Sequence, residues 1–467
     1  MRCSLRLLLP ALVWIPLAAA QERYSVDWAK LEPEILERFS ALLKIDTSNP
    51  PGDETRLAEA LQKTFEAEGI PAKLFALEPA RANLVARLKG NGSKKPILLL
   101  GHTDVVGVQR ERWSVDPFGA ARKNGLIYGR GANDDKSHVV AGMMILLLLN
   151  RMHIKLDRDV IFLAEAGEEG TTSVGIDYMV KQHWPEIEAE YALAEGGSVV
   201  ESGGKTRDVV VTVTEKVPRP VRLVAHGPSG HGSRPIEQNA VTHLAAAVAR
   251  AGEWQTPMRL NAATRAYFER LAEISPAAEA NRYRGILRPA RAPAIDRYFR
   301  THEPGHYSIL RTSVVPTMLK AGFRGNVIPS EGEAYLDIRA LPDEDMNQFM
   351  SELRRVIGDP TIEIEQAQNT ERPAAMPSRL DTDMFHALEK AGRRVYSAPT
   401  IPSMLTGATD SAQLRARGVQ AYGVGPIGPS GDGALGGAHA DDEYISVRAL
   451  EKLIQYMWDS VIDVAAE

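Results

Sequence analysis

The sequence predicts an α/β fold: a mostly parallel sheet flanked by helices, carrying an inserted smaller α/β domain. Three observations support this. The apolar run Pro96-Ile97-Leu98-Leu99-Leu100 leads straight into Gly101-His102-Thr103-Asp104, as expected of a strand buried on both faces. Two more such runs, Asp159 to Ala164 and Tyr191 to Ala194, are each followed by acids, Glu168-Glu169 and Glu195. Between the first two runs lies an apolar helical stretch, Val139 to Leu149, which completes a βαβ rhythm. Right-handed crossovers then bring distant strand ends to one rim, where open α/β sheets place their ligands.

The elements follow in order. Arg2 and Arg6, the apolar stretch Leu7 to Ile15 and Ala18-Ala19-Ala20 have the layout of a secretory signal cleaved after Ala20. The stretch is short for a membrane anchor and holds Pro10 and Pro16. The first part of the catalytic domain is expected over 21–214, ending with a Gly-rich hairpin at Ser202 to Lys205 and a strand at Asp208 to Thr214. The texture then changes. A strand at Val221 to His226, a turn at Gly227 to Ser233 and an Ala-rich helix near Pro235 to Gly252 open the inserted domain, expected over 215–366. The arginines between Arg282 and Arg300 read as a solvated helix face. An alternating strand at Glu331 to Ile338 and an amphipathic helix at Met346 to Ile357 close this insertion. Residues 367–467 return to the first domain, where Ser446 is placed to cap the last helix. The stretch 256–316 carries no chemistry that the sequence reveals.

Composition excludes some functions. The only cysteine is Cys3, inside the expected signal, so neither disulfides nor thiolate metal sites are expected in the exported protein. The net charge is −5, or −7 once Arg2 and Arg6 are removed, which argues against nucleic acid. Gly227-Pro228-Ser229-Gly230-His231 fails as a nucleophile elbow at its last position. Gly129-Arg130-Gly131 lacks the third glycine of a dinucleotide loop.

The acidic clusters at strand ends, taken with His102, favour a metal site, and imidazole with carboxylate suits zinc. The set Gly-His-x-Asp at 101–104, Gly-Arg-Gly-Ala-x-Asp-Asp-Lys at 129–136, Glu-Glu-Gly at 168–170 and Glu-Gly-Gly at 195–197 resembles the di-zinc hydrolases that include acetylornithine deacetylase, succinyl-diaminopimelate desuccinylase, aminoacylase, carnosine dipeptidase and glutamate carboxypeptidase. Asn326 to Ser330, Leu405 to Ser411 and Tyr422 to Pro426 are most similar to the carboxypeptidase S and N-fatty-acyl amino acid hydrolase branch. The chain departs from the commoner pattern at Gly107, Ser137 and Ala408, none of them a ligand.

The resemblance implies a di-zinc exopeptidase type of fold and two Zn²⁺ per chain, for which Co²⁺ or Mn²⁺ are alternatives. It implies that His102 and Glu195 hold one ion, His439 and Glu169 the other, and that Asp134 bridges them. Glu168 is then the base acting on a metal-bridging hydroxide, and Asp104 accepts a hydrogen bond from the far nitrogen of His102. His231 polarises the scissile carbonyl, while Asn326, Arg339, Gly407 and Thr409 contact substrate. The expected function is an exported, periplasmic or extracellular metallopeptidase, a carboxypeptidase or dipeptidase, cleaving an amide beside a free α-carboxylate. N-acyl amino acid hydrolysis is the alternative, and a non-catalytic scaffold would have lost ligands that this chain keeps. A homodimer through the inserted domain is also implied, with a small peptide or N-acyl amino acid as the only other partner.

Overall fold

A computed structural model describes residues 24–367, 372–428 and 437–467. The expected signal at 1–20, with Cys3, lies outside the described residues. The strands that build the larger sheet are, along the chain, β1 (Ala72–Ala76), β2 (Ala82–Leu88), β3 (Ile97–His102), β4 (Val160–Glu165), β5 (Tyr191–Ala194), β6 (Ser198–Ser202) and β7 (Lys205–Glu215). The smaller sheet takes β8 (Val221–His226), β9 (Ser313–Ala321), β10 (Glu331–Ala340) and β11 (Ile362–Gln366), with the short segment Val217–Pro218. The chain then returns to the larger sheet with β12 (Thr400–Leu405) and β13 (Gln420–Gly423).

The larger sheet has nine strands in the order β6-β7-β13-β5-β3-β4-β2-β1, with β12 beside β7. It is mixed: β13, β5, β3 and β4 run parallel at the centre, β1 and β2 are antiparallel on one side, and on the other β7 is antiparallel to β6 and β13 but parallel to β12. The parallel centre is the part that the apolar runs predicted. β3, β4 and β5 are buried from end to end because helices cover both faces, so no polar alternation survives in them.

Helix α1 (Lys136–Arg151) explains why one segment is apolar all round: every residue from Lys136 to Leu149 is buried. Gly101 lets it lie close to β3, since a Cβ there would stand 2.9 Å from the backbone nitrogen of Val139. The long helix Val447–Ala465 packs on the same side, capped as expected by Ser446, whose side chain accepts from the Ala449 amide.

In the smaller sheet, β9, β10, β8 and β11 are antiparallel and are backed by α2 (Ala240–Glu253) and α3 (Met346–Ile357). One expectation is corrected here. The Ala-rich helix begins at Ala240 rather than near Pro235, because Asn239 caps it by accepting the Val241 amide. The arginine-rich stretch presents the solvated face expected, with Arg284, Arg288, Arg291, Arg297 and Arg300 exposed. It folds as four helices between Ala262 and Ile309 around Phe268, Tyr283 and Phe299, and Arg282 and Arg311 form ion pairs with Glu303 and Asp296. Among the described residues no helix is long and apolar enough to cross a membrane.

Candidate metal centre

The parallel strands β3, β4 and β5 end on one rim, and the acids stand there. His102 is the last residue of β3, and Glu195 follows β5 directly. Glu168 and Glu169 sit in the turn after β4, which Gly167 enters at φ +82°, a left-handed conformation open to glycine. Asp134 ends the Gly-rich turn that precedes α1. His439 approaches from a loop late in the chain, itself at φ +62°.

These residues form two triads that share one carboxylate. His102, Asp134 and Glu195 offer ligand atoms within 4.8 Å of one another, and so do Asp134, Glu169 and His439. The two oxygens of Asp134 are divided between the histidines. Oδ1 lies 2.9 Å from Nε2 of His102, and Oδ2 lies 3.3 Å from Nε2 of His439. Nε2 of His439 is also 2.9 Å from Oε1 of Glu169.

The electrostatics fit a cation pair. Burial drives the Glu195 carboxyl well above the ordinary range, and the nearby Asp134 and Glu168 carboxylates push the same way. Burial would lower His102, but the nearby Asp104 and Asp134 carboxylates outweigh it and hold the imidazole well above its usual value. Bonds to Asp134 and Glu169 lift His439 to about 10. Carboxylates and imidazoles that converge in this way favour a bound positive charge, and a metal ion is one species that supplies it. The donors are imidazole nitrogens and carboxylate oxygens alone, which suits zinc.

The predicted residues divide into two groups. His102, Asp134, Glu168, Glu169, Glu195 and His439 come together, with Asp104 beneath them. Asp104 corrects one expectation: Nδ1 of His102 bonds the backbone carbonyl of Asp104 at 3.0 Å, and the nearer carboxylate oxygen is 3.6 Å away. That carboxylate is occupied elsewhere, accepting the amides of Glu168 and Glu169 and the side chain of Asn49. It therefore fixes the turn bearing both glutamates. Thr409 turns its amide and hydroxyl onto Glu215, each at 2.9 Å, with Gly407 half-buried two residues earlier. His231, Asn326 and Arg339 all lie on the smaller unit. His231 is exposed and bonded to Ser233, its neighbour Gly232 donates to the Asn326 carbonyl, and Arg339 pairs with Asp337 at 2.9 Å.

Three residues escaped sequence reasoning. Buried Glu443 accepts the amides of Gly131, Asn133 and Asp134 and pairs with Arg130, which locks the turn that presents Asp134. Arg372 donates to Oε1 of Glu168 at 2.6 Å and to Asp410 at 2.9 Å. Burial raises the Glu168 carboxyl to about 8, even with Arg372 opposing it. The acidic run Asp441-Asp442-Glu443 was a visible signal for the first and the motif segment Leu405 to Ser411 for Asp410; Arg372 left none.

A model of the peptidase family M20/M25/M40 matches residues 98–462. The chain belongs to this family. It is a metal-dependent hydrolase acting on peptide or amide bonds, and it resembles several members along most of its length. It is 27% identical over 457 residues to the N-fatty-acyl-amino acid synthase/hydrolase of Xenopus tropicalis, covering 91% of this chain and 85% of that one. It is 27% identical to aminoacylase-1 of Mus musculus, over 83% of this chain and 86% of that one. Its fold matches the M20 family metallo-carboxypeptidase Sso-CP2 of Sulfolobus solfataricus with a TM-score of 0.71 at 20% identity, covering 92% and 99% of the two chains.

Proposed function

We propose that this chain hydrolyses the amide joining an acyl group to an amino acid whose α-carboxylate is free, acting first on N-acyl amino acids. The observation that carries this reading is the pair of triads sharing Asp134, with the raised carboxyl of Glu168 beside them. Two zinc ions, held by His102, Asp134 and Glu195 and by Asp134, Glu169 and His439, would supply Lewis-acid polarisation and a nucleophile at neutral pH; cobalt or manganese accepts the same donors.

Glu168 is the base. Arg372 engages its Oε1, and we assign Oε2 to take the proton and pass it to the leaving amine. A carboxyl near neutrality is matched to that exchange in both directions. Residues 215–366 act as a lid. Arg339, with Asn326, clamps the substrate carboxylate, since a guanidinium fork matches it in a bidentate manner. His231 donates to the developing oxyanion. A second copy of the chain is the source we favour for His231, because β9 pairs only with β10 among the described residues and leaves Val315, Met318 and Leu319 exposed along it. The basic and apolar N-terminus supports export to the periplasm or the exterior.

N-acyl amino acids come ahead of peptides here, reversing the order expected from the sequence. The Xenopus relative, aligned over 91% of this chain, is an N-fatty-acyl-amino acid synthase/hydrolase. Cleavage of a carboxy-terminal peptide bond is the second reading, because it presents the same amide and the same carboxylate. Mass spectrometry of products from a mixed panel of N-acyl amino acids, dipeptides and longer peptides tests both, with and without chelation. Release of free amino acid from N-acyl substrates, lost with chelator and restored by zinc, is the expected result. Cleavage confined to peptides transfers the protein to the second reading, and no cleavage with zinc present sinks both.

A further inference from the structure

We infer that Arg372 is a positioning residue that ties the placement of Glu168 to the placement of the smaller sheet, a role that rests on Glu168 being the base. The chain crosses between the two sheets twice. It leaves β7 at Glu215 and passes through Val217–Pro218 into β8; after β11, Ala367 and Arg372 lie on the way back to the larger sheet. The two crossings are bound to each other. The Ala367 amide donates to the Pro220 carbonyl at 3.1 Å, and Arg219 donates to the Arg372 carbonyl at 3.0 Å.

Arg372 therefore has its backbone on the hinge and its side chain in the catalytic rim. Its guanidinium is mostly withdrawn from solvent and reaches Glu168 and Asp410 through different nitrogens. Asp410 is itself anchored: it is 2% exposed and precedes the helix Ser411–Ala416. That helix carries Arg415, which pairs at 2.8 Å with Glu215 on the outgoing crossing. Both crossings thus end in buried ion pairs to one short segment, Asp410 and the helix after it, and only the Arg372 side also touches the base.

A guanidinium holding two carboxylates fixes the direction of each more tightly than a point charge does. With one oxygen of Glu168 taken, its carboxylate plane is set by Arg372. A shift of the hinge then turns the base, and small misplacements of a catalytic group are expensive in rate. Arg372 need not touch substrate to have this effect.

The test measures kcat, KM and bound metal for Arg372→Ala, Arg372→Lys and Arg219→Ala in the zinc-loaded full chain, beside Glu168→Gln. Expected for Arg372→Ala is a kcat loss of roughly thirty- to a hundredfold with KM within about threefold and metal content as in wild type. Arg372→Lys should recover part of that loss, and guanidinium ion should rescue Arg372→Ala but not Glu168→Gln. Arg219→Ala should lower kcat by several-fold in the same direction. If Arg372→Ala fails to fold, Asp410→Asn, which leaves Arg372 with one charged partner, should reproduce the kcat defect with KM held. A rise in KM alone would make Arg372 a substrate contact, and loss of metal would make it a structural strut; either result, or an unchanged kcat, overturns the inference. Full turnover in Glu168→Gln combined with a defect in Arg372→Ala would instead remove the base assignment, which separates the two failures.

Discussion

The two halves of the candidate metal centre are built from different material. The His102 half stands on the ends of β3 and β5, inside the parallel core, and His102 is only 2% exposed. The His439 half borrows its imidazole from a loop, and that side chain is 54% exposed. Asp134 belongs to both. Strand ends are fixed by the whole sheet, whereas a loop is fixed by a few local bonds, so the first triad is preorganised and the second is completed last. Glu168, the proposed base, sits at the junction, in the same turn as Glu169.

The sharpest way to break this comparison is to remove the residue the halves share. Asp134→Asn should cost on the order of a thousandfold or more in kcat/KM, about 4 kcal/mol of transition-state stabilisation. It should also loosen metal at both triads, as metal analysis after desalting would show. Loss of only one ion per chain would mean that Asp134 serves a single triad.

The next test separates the halves. His102→Ala should leave the protein without tightly held metal and lower its Tm, since it opens a gap in the buried core. His439→Ala should keep close to one ion per chain and a Tm near that of wild type, while turnover still collapses. The reverse pattern would show that the loop, and not the strand, organises the centre.

The smallest effect expected is a control away from the rim. Lys216 is buried where the chain leaves β7, bonded to Ser308 and Ser313, and burial lowers its amine to about 7. The unfolded chain holds that proton up to about pH 10, so between pH 7 and 10 it binds more protons than the folded chain. Stability should therefore rise with pH across that window and be flat, for this group, below it. Lys216→Met should remove the slope and leave metal content unchanged. Denaturant unfolding at pH 7 and pH 9.5 measures this, and an equal wild-type-to-variant difference at both values would exclude the lowered amine.

How legible each part was follows from how local its signal is. His102, Glu168, Glu169 and Glu195 could be read directly because they stand at or just beyond the ends of apolar runs, and a buried parallel strand leaves an unmistakable run. Asp134 was legible through the Gly-rich turn. His439 was visible only through the family motif, because a loop histidine among acids has no periodic mark. The roles of Arg372, Asp410 and Glu443 were missed because each acts on a residue far away in sequence: the acidic run at 441–443 and the motif around Asp410 were visible, but an ion pair formed by tertiary folding leaves no spacing that names its partner. Asp104 was found, but its role differed, since three nearby N–H donors claim its carboxylate before His102 does. The helix start at Ala240 rather than Pro235 shows a capping asparagine prevailing over a proline signal.

The order of strands also governs how such a chain comes into being. β13, which lies between β5 and β7 in the larger sheet, is the last of its strands to be made. A growing chain emerging from the ribosome holds β3, β4 and β5 long before the strand that must slot in next to β5 exists, and in that interval β5 presents an open edge. The smaller sheet, whose strands all lie between residues 217 and 366, has no such wait and has every piece it needs first. Assembly of the larger sheet is thus postponed to the end of synthesis, and a chain cut short before residue 420 would lack both the strand that closes the gap and the last histidine.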